Sequence, residues 1–318
     1  MSRHKLRVWD YTCHSFDRDP PFATKSAPPV ALEFPGQSAS EVTIRDVKVA
    51  LASKVKKLYV ERQRLSQEGD KKALDDGLKL TEVGFDARTE QCQLSVKDLG
   101  PQIQWRTVFI VEYLGPILIH PLIYYLPRVF YGSEVQHSAL QSYVFAFVVL
   151  HFLKRELETL FVHRFSHATM PAKNIFKNSA HYHIFSGLLL AYDIYRPKYA
   201  SAVNNPQFLN ACAAVWLFAE LSNLSTHLTL RSLRPTGTGK RGIPYGYGFG
   251  LVSCPNYLFE TVGWFVICVM TNSIAAWLFF VISTGQMAIW AAKKHRNYKK
   301  EFGKDYPRGR KAMIPFIF

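Results

Sequence analysis

Residues 208–234 read FLNACAAVWLFAELSNLSTHLTLRSLR, an apolar stretch that carries polar side chains at regular intervals. The side chains that follow one another at spacings of three or four residues are those of Glu220, Asn223, His227, Arg231 and Arg234. Such spacings place them on one face of a helix. Because ionisable groups at membrane depth are costly unless they face a cavity or a partner, this face predicts a binding site within a membrane helix.

The remainder of the 318-residue chain separates into a charged part and an apolar part. Residues 1–98 have the composition of a globular domain, and nearly all long apolar runs follow Trp105. The formal net charge is +15, and basic residues crowd the end of the chain beside an apolar segment. A basic cluster next to a membrane span is typical of the cytoplasmic side and of contact with anionic lipid. We therefore expect membrane lipid as a partner and no nucleic acid.

Residues 1–98 predict a small α+β domain. The sequence indicates strands at residues 5–9, 30–34 and 91–96. Thr43 is placed to cap a helix whose apolar residues recur at three- and four-residue spacing up to Leu58. The order strand, strand, helix, strand is typical of a ubiquitin-like β-grasp domain, and a generic α+β domain is the alternative. The pair Gly100-Pro101 then leads into the second domain, residues 99–318.

The second domain is predicted to be a multi-pass α-helical membrane domain. Its apolar segments are residues 105–126, 139–162, 180–195, 206–230, 253–271 and 273–291. Since a span needs about twenty apolar residues, the third segment is short and could be re-entrant. The charged first domain and the basic C-terminus are expected on the same cytosolic side, which requires an even number of crossings. About six transmembrane helices satisfy this condition, as would four with two interfacial segments.

Three further groups of polar residues lie within these apolar segments. Glu112, beside Tyr113, interrupts the first segment. The other two groups are His151, Lys154, Arg155 and Glu158 in the second segment, and Asn256, Tyr257 and Glu260 in the fifth. Each group alone could be an ion pair or hydrogen bond that joins helices, and Glu158 can pair with either Lys154 or Arg155. Four such groups in one small bundle exceed what helix association requires, which favours a functional site.

Two motifs that resemble known sites are discounted. Gly237, Gly239 and Gly242 spell GxGxxG, but a dinucleotide fold requires a strand before this motif and a helix after it, whereas an apolar helix precedes it here. Membrane di-iron hydroxylases use boxes with adjacent histidines, because imidazole suits iron. The candidates here, none of them adjacent, are His163, His167, His181 and His183. We therefore expect no metal.

Motifs along nearly the whole chain resemble the steroid 5α-reductase family. In the C-terminal half they are IPY at 243–245, VSCPNY at 252–257 with Glu260, HxxY at 295–298, DYP at 305–307 and IPF at 314–316. Two further strings and the ubiquitin-like region are typical of the trans-2-enoyl-CoA reductases of very-long-chain fatty acid elongation within that family. These strings are FIVEYxGP at 109–116 and LHFLKRELET at 150–159. The combination is specific, although no single motif is.

The resemblance implies a steroid 5α-reductase-like helix bundle in the endoplasmic reticulum membrane, with NADPH as cofactor. It also implies reduction of the trans-2,3 double bond of a very-long-chain enoyl-CoA, the last step of the elongation cycle, and other elongation enzymes as partners. One alternative is a steroid or polyprenol reductase of the same fold. Another is a non-enzymatic membrane scaffold that presents its ubiquitin-like domain.

The resemblance implies roles for individual residues as well. Tyr257 matches the family's proposed catalytic position, and Glu112 matches a carboxylate that contacts the carbonyl end of the substrate. The positions on the cofactor side are Asn223, His227, Arg234, Asn256, Glu260, His295 and Tyr298, with Arg164 as a further candidate for the phosphates. The positions on the substrate side are His151, Lys154 and Arg155. Phe152 stands where steroid reductases have a tyrosine, which argues against a steroid substrate.

The chemistry of the reaction suits these residue types. Reduction of a double bond conjugated to a thioester adds a hydride at C3 and a proton at C2. Negative charge builds on the thioester oxygen, so a hydrogen-bond donor must be aimed at it. A tyrosine can supply both the proton and the hydrogen bond, while arginines suit the phosphates of the cofactor.

Overall fold

The computed structural model describes residues 5–12, 30–70, 72–85, 91–165, 168–199, 205–234 and 242–318. The chain divides into two compact units. Unit 1 comprises Met1–Gln104 and Ala168–Lys173, and unit 2 comprises Trp105–His167 and Asn174–Phe318. Unit 2 thus begins at the first residue of the first apolar segment.

The described part of unit 1 contains a four-stranded mixed sheet and one α-helix. Its elements are β1 (Lys5–Thr12), β2 (Val30–Glu33), α1 (Ile44–Lys54), a 3₁₀ turn at Val60–Arg62, β3 (Gln63–Gln67), a 3₁₀ turn at Leu80–Val83 and β4 (Gln91–Asp98). The sheet order is β2-β1-β4-β3, in which β1 runs parallel to β4 and the other pairs are antiparallel. A separate antiparallel pair joins β5 (Gln102–Gln104) to β6 (Thr169–Pro171). The elements β1, β2 and β4 lie where the sequence predicts them, and α1 begins at the predicted position. Helix α1 ends at Lys54, so the prediction that it continues to Leu58 is wrong. Strands β3, β5 and β6 do not follow from the sequence.

A capping box fixes the start of α1 at the position that the sequence predicts. The hydroxyl of Thr43 accepts a hydrogen bond from the backbone N–H of Asp46 at 3.2 Å, and the Asp46 carboxylate accepts one from the backbone N–H of Thr43 at 2.9 Å. These bonds satisfy backbone donors that a helix start otherwise leaves free. The core that α1 helps to form includes Leu32, Ile44, Val47, Leu51, Leu65 and Leu94.

The described part of unit 2 consists mainly of helices. They are α2 (Trp105–Tyr125), α3 (Pro127–Tyr131), α4 (Ala139–Phe161), α5 (Asn174–Ser179), a π-helix (Ala180–Leu189), α6 (Leu190–Ile194), a 3₁₀ turn (Pro197–Tyr199), α7 (Pro206–Ser232), α8 (Pro255–Thr271), α9 (Ile274–Phe302) and a 3₁₀ turn (Gly303–Asp305). All six predicted apolar segments are therefore helical. The third consists of the π-helix and α6 instead of one regular helix.

Three helices among the described residues are long and apolar enough to cross a membrane. They are Trp105–Tyr125, Pro206–Ser232 and Ile274–Asp305. The other two long helices fall short by length or composition, because α8 has 17 residues and α4 carries several charged side chains in its second half. The chain is thus a helical membrane protein with three candidate spans, and the total of six stays a prediction.

The GxGxxG motif follows a helix, as the sequence indicates. Gly237 and Gly239 lie outside the described residues, and Gly242 leads into irregular chain that continues to the start of α8. Where the chain is described on either side of the motif, α7 precedes it and a strand does not. The context of a dinucleotide-binding fold is therefore missing from these residues.

Close packing of α2 on the π-helix depends on a glycine. A Cβ atom added at Gly115 would lie 2.0 Å from Cδ2 of His183. The imidazole is held in this position because its Nε2 lies 2.8 Å from the carbonyl oxygen of Val111. The ring of His183 thus occupies the space that the missing side chain leaves free on α2.

We expect Gly115→Ala to lower the melting temperature of the detergent-solubilised protein. The added methyl group overlaps a rigid ring, and overpacking of this kind costs about 1–3 kcal/mol. Gly285→Ala on α9 is the matched control, since no atom lies within 4 Å of the Cβ added there. The control should melt at or slightly above the temperature of the unsubstituted protein, because alanine favours helices. Equal melting temperatures for Gly115→Ala and the unsubstituted protein would contradict this packing.

Candidate active site

A buried carboxylate on α4 gathers basic side chains from α4 and α7. The Glu158 side chain is 2% exposed, and its Oε2 accepts a hydrogen bond from Nη1 of Arg155 at 2.8 Å. Its Oε1 lies 3.0 Å from Nδ1 of His227 on α7 and 3.6 Å from Nζ of Lys154. The sequence leaves open whether Glu158 pairs with Lys154 or Arg155, and in the structure it lies near both. Since unpaired charges are costly in such surroundings, this cluster couples α4 to α7.

A second buried carboxylate extends the network to α8. Oε1 of Glu220 lies 2.7 Å from Nδ1 of His151, and its Oε2 lies 2.9 Å from Nζ of Lys154. Lys154 also donates a hydrogen bond to Oδ1 of Asn223 at 2.5 Å. The amide nitrogen of Asn223 in turn donates to the carbonyl oxygen of Asn256 at 2.8 Å. The predicted polar face of α7 therefore contacts α4 on one side and the first turn of α8 on the other.

Arg155 connects this network to a cavity of about 270 Å³. Its Nη2 donates a hydrogen bond to the hydroxyl of Tyr113 at 3.0 Å. The polar side chains that line the cavity are those of Arg155, His163, Arg164, His227, Arg231, Arg234, Asn256, Tyr257, Lys294 and Tyr298. Seven residues that the resemblance assigns to the site are thus brought together, although they come from distant parts of the sequence.

Arg164 and Arg234 are fixed by reciprocal contacts in the cavity lining. The guanidinium of Arg164 donates to the carbonyl oxygen of Arg234, and Nη1 of Arg234 donates to the carbonyl oxygen of Arg164 at 2.7 Å. Helix α7 ends at Ser232, so Arg234 lies beyond the helical face that the spacing predicts. The contact with Arg164, and not helical register, brings Arg234 to the cavity.

Tyr257 and Lys294 lie beside each other in the cavity lining. The Nζ atom of Lys294 on α9 is 5.4 Å from the centre of the Tyr257 ring. Tyr257 and Asn256 belong to the first turn of α8, where Pro255 suits the first helical position. Oδ1 of Asn256 is buried and has no hydrogen-bond partner among the described residues. This corner of the cavity therefore combines a phenol, a cation and a buried amide oxygen with capacity for a ligand.

The remaining predicted residues do not line the cavity. Among them, His151, Lys154 and Asn223 belong to the buried network. Nδ1 of His295 lies 2.5 Å from the hydroxyl of Ser253, just before α8. Glu260 follows Asn256 by one helical turn and is partly buried. Among these residues, His151, Lys154, Asn223 and His295 act on the cavity through the groups that they hold.

Glu112 lies in an aromatic environment that adjoins Arg155. It is 1% exposed, its carboxyl group interacts with the side chain of Asn178, and its Oε1 has no hydrogen-bond partner among the residues described. The ring of the neighbouring Tyr113 packs edge-on against Tyr182, with 5.3 Å between ring centres. A buried carboxyl oxygen that lacks a partner is available for a ligand.

Three side chains near the cavity are close enough to bind a metal, but their surroundings disfavour one. Glu158, His163 and His227 each place a ligand atom within 4.8 Å of the others. Arg155 already donates to Glu158 and lies 3.3 Å from Nδ1 of His227. The guanidinium of Arg155 thus supplies the positive charge that a metal ion would otherwise bring to the Glu158 carboxylate.

Lys294 lines this cavity although the sequence does not predict it as a site residue. In the sequence it is one of two adjacent lysines near the basic end of the chain, where contact with lipid head groups explains it equally well. The one local signal is its spacing of four residues from Tyr298, which places both side chains on the same face of α9. The contact with Tyr257 joins two helices and leaves no trace in a local pattern.

Comparison with known proteins finds similar chains over most of the sequence. The profile of the family described as 3-oxo-5-alpha-steroid 4-dehydrogenase matches residues 168–318. A Schizosaccharomyces pombe protein named for enoyl reductase activity is 48% identical over 91% of this chain and 95% of its own length. The very-long-chain enoyl-CoA reductase of Dictyostelium discoideum is 38% identical over 88% of this chain and 93% of its own length. A Caenorhabditis elegans protein named for the same activity is 41% identical over 89% of this chain and 93% of its own length.

We expect Glu158→Gln to lower the melting temperature strongly, because it leaves Arg155 without its buried carboxylate. Breaking one side of a buried ion pair costs about 3–5 kcal/mol. Glu134→Gln is the control, since its pair with Arg128 is exposed, with side-chain exposures of 62% and 75%. Such a pair contributes about 0–1 kcal/mol, so the control should melt near the temperature of the unsubstituted protein. Equal melting temperatures for the two variants would show that the buried network does not stabilise unit 2.

Proposed function

Because the chain belongs to the very-long-chain enoyl-CoA reductases of the steroid 5α-reductase family, we propose that it reduces trans-2-enoyl-CoA to saturated acyl-CoA. NADPH is the proposed electron donor. The observation that carries this proposal is the cavity in which Tyr257 lies beside Lys294 and Asn256, with several arginines in the same lining. Such a cavity offers a proton donor together with groups that attract phosphate.

The composition of the cavity lining fits a nicotinamide dinucleotide. Arg164, Arg231 and Arg234 present guanidinium groups, which suit the phosphates, including the 2′-phosphate of NADPH. The buried oxygen of Asn256, which lacks a partner among the described residues, suits the amide group of the nicotinamide. We assign the phosphates to the arginines and the nicotinamide to the first turn of α8.

The other residues proposed for the cofactor side support this assignment from different positions. They are Asn223, His227, Glu260, His295 and Tyr298. His227 and Tyr298 line the cavity, while Asn223 holds the backbone of Asn256. Glu260 follows Asn256 by one turn, where a carboxylate suits ribose hydroxyls. His295 acts through Ser253, which precedes α8.

Tyr257 is the proposed proton donor of the reaction. When bound, NADPH supplies the hydride that is added to C3 of the substrate. Tyr257 then gives its hydroxyl proton to C2, for which its side chain is available because it lines the cavity. Glu112 is the proposed contact for the thioester oxygen, since one of its buried oxygens has no partner among the described residues. The alternative proton donor is Glu112, in which case Tyr257 contacts the thioester oxygen.

The substrate side of the site is proposed to consist of Arg155 with His151 and Lys154 behind it. Arg155 lines the cavity and can face the negative charge that develops on the thioester oxygen. His151 and Lys154 bind Glu220, and Lys154 also approaches Glu158. These contacts hold α4 in place, so their effect on the substrate is indirect.

Two alternative functions are less well supported. A steroid or polyprenol reductase of the same fold is disfavoured by relatives that are named for enoyl-CoA reduction. It is disfavoured also by Phe152, which has no hydroxyl to offer a ketone. A non-enzymatic scaffold does not need a cavity lined with arginines and a tyrosine. If the protein were such a scaffold, it would not bind NADPH.

We also propose a fold for unit 1 and a location for the protein. Residues 1–98 form a ubiquitin-like domain, since a central parallel strand pair with antiparallel neighbours and one helix is the arrangement of a β-grasp domain. The protein resides in the endoplasmic reticulum membrane with both termini in the cytosol, as the basic C-terminus favours. There it works with other enzymes of fatty acid elongation, and its products supply sphingolipid synthesis.

Turnover by the purified protein tests the proposed function. With a long-chain trans-2-enoyl-CoA, the detergent-solubilised protein should consume NADPH, followed as loss of nicotinamide absorbance. NADPH should be preferred to NADH by kcat/KM, because the arginines recognise the additional phosphate. A steroid enone and a polyprenol serve as control substrates and should leave NADPH unchanged. Oxidation of NADPH with either control but not with the enoyl-CoA would overturn the assignment.

Two substitutions on α8 separate proton donation from cofactor binding. Tyr257→Phe keeps the ring but removes the hydroxyl, so we expect kcat to fall by about 10²–10³ with little change in the KM for NADPH. Glu260→Gln removes a charge on the cofactor side and should raise that KM more than it lowers kcat. The measurement is steady-state kinetics with both substrates varied. Normal kcat in Tyr257→Phe with weakened NADPH binding would make the tyrosine a cofactor contact and Glu112 the donor to test.

A further inference from the structure

Lys294 lies directly beside the proposed proton donor. Its Nζ is 5.4 Å from the centre of the Tyr257 ring, within the distance of about 6 Å at which a ring attracts a cation. Both side chains line the cavity and both are partly buried. The ammonium group therefore acts on the phenol at short range and with limited screening by water.

In the part of the chain that the structure describes, no carboxylate forms a salt bridge with Lys294 that would explain its position. Among the described residues, the ionisable groups that act most strongly on its ammonium are Tyr257, Cys254, Tyr298 and Arg234. None of the four is a carboxylate, and no salt bridge to Lys294 occurs in the described part of the chain. A partly buried cation without an acidic partner is costly, and ionisable groups in such positions are concentrated at functional sites.

The contacts of Lys294 differ from those of the cavity arginines. Arg164 and Arg234 bind each other's backbone and form a fixed cationic surface, as suits a phosphate. Lys294 instead places its charge over the ring of Tyr257. A charge in that position has most effect when the tyrosine oxygen itself becomes negative.

We propose that Lys294 is a positioning residue for catalysis, whose ammonium stabilises the negative charge that forms on the Tyr257 oxygen as its proton moves to C2. This inference rests on the proposed function, in which Tyr257 donates that proton. The new C2–H bond forms from the electron pair of the enolate, and the O–H bond of Tyr257 breaks with its electrons left on the oxygen. Lys294 retains its own protons, and the phenolate recovers a proton from water before the next turnover.

The neighbouring Lys293 provides a matched control. It precedes Lys294 on α9, has the same side chain, is exposed and does not belong to the cavity lining. Lys294→Met removes the charge at nearly constant length, Lys294→Arg retains the charge, and Lys293→Met changes the net charge of the helix equally. Comparison of the three variants shows whether activity depends on a positive charge at position 294 or only on the net charge of α9.

The test measures NADPH-dependent reduction of a long-chain trans-2-enoyl-CoA by the full-length protein. We expect Lys294→Met to lower kcat by about tenfold to a hundredfold, as loss of a unit charge at this range implies, while the KM for NADPH stays within about twofold. The effect of 2H2O on kcat should increase, because proton transfer becomes slower. Lys294→Arg should recover most of the activity, and Lys293→Met should match the unsubstituted protein.

The double variant Tyr257→Phe/Lys294→Met decides whether Lys294 acts through the tyrosine. If it does, the double variant is no slower than Tyr257→Phe alone, since the group that needs the charge is already absent. If the two substitutions instead reduce kcat by factors that multiply in the double variant, the inference is wrong. A large rise in the KM for NADPH with normal kcat in Lys294→Met would also overturn it, because Lys294 would then bind a cofactor phosphate.

Failure of the unsubstituted protein to reduce the enoyl-CoA would instead overturn the proposed function, so the two failures are distinct. If Lys294→Met does not fold, Lys294→Arg with a kcat as low as that of Tyr257→Phe would still contradict the proposal.

Discussion

The organisation of unit 2 depends on the carboxylate of Glu158, which is buried among basic side chains of α4 and α7. One of its oxygens accepts a hydrogen bond from Arg155, and the other lies near His227 and Lys154. In apolar surroundings none of these charges is tolerated alone, so the two helices must stay together to keep them paired. The same contacts fix the guanidinium of Arg155, which then reaches both Tyr113 and the cavity.

The same buried network supports the proposed catalytic residue, Tyr257, through a series of direct contacts. Lys154 binds Glu220 and Asn223 on α7, and Asn223 binds the backbone of Asn256 at the start of α8. The next residue is Tyr257, so its side chain is carried on a helix start that the network holds in place. Rigid support of this kind suits a group that must meet its substrate at a defined distance.

The sequence predicts those features that depend on local spacing. Intervals of three and four residues suffice to place Glu220, Asn223 and His227 on one face of α7, and the structure buries all three. Contacts between distant segments leave no such pattern. Arg234 reaches the cavity because it binds Arg164, 70 residues earlier, and Lys294 reaches it because α9 packs beside Tyr257.

Elements with little apolar periodicity escape prediction for a related reason. Strand β3, with the sequence QRLSQ, has only Leu65 as a clear apolar signal, although Gln63 is buried as well. The amide of Gln63 is accommodated because it donates hydrogen bonds to the carbonyl oxygens of Lys48 and Leu58. Only the folded chain supplies these acceptors, so the sequence alone gives no reason to bury that residue.

The position of deuterium in the product tests the proposed reaction most directly. The purified protein is supplied with a long-chain trans-2-enoyl-CoA and unlabelled NADPH in 2H2O, and the saturated acyl group is analysed by mass spectrometry and NMR. We expect one deuterium at C2, from the exchangeable hydroxyl of the proton donor, and none at C3. Deuterium at C3, or a product without deuterium, would contradict the proposed reaction.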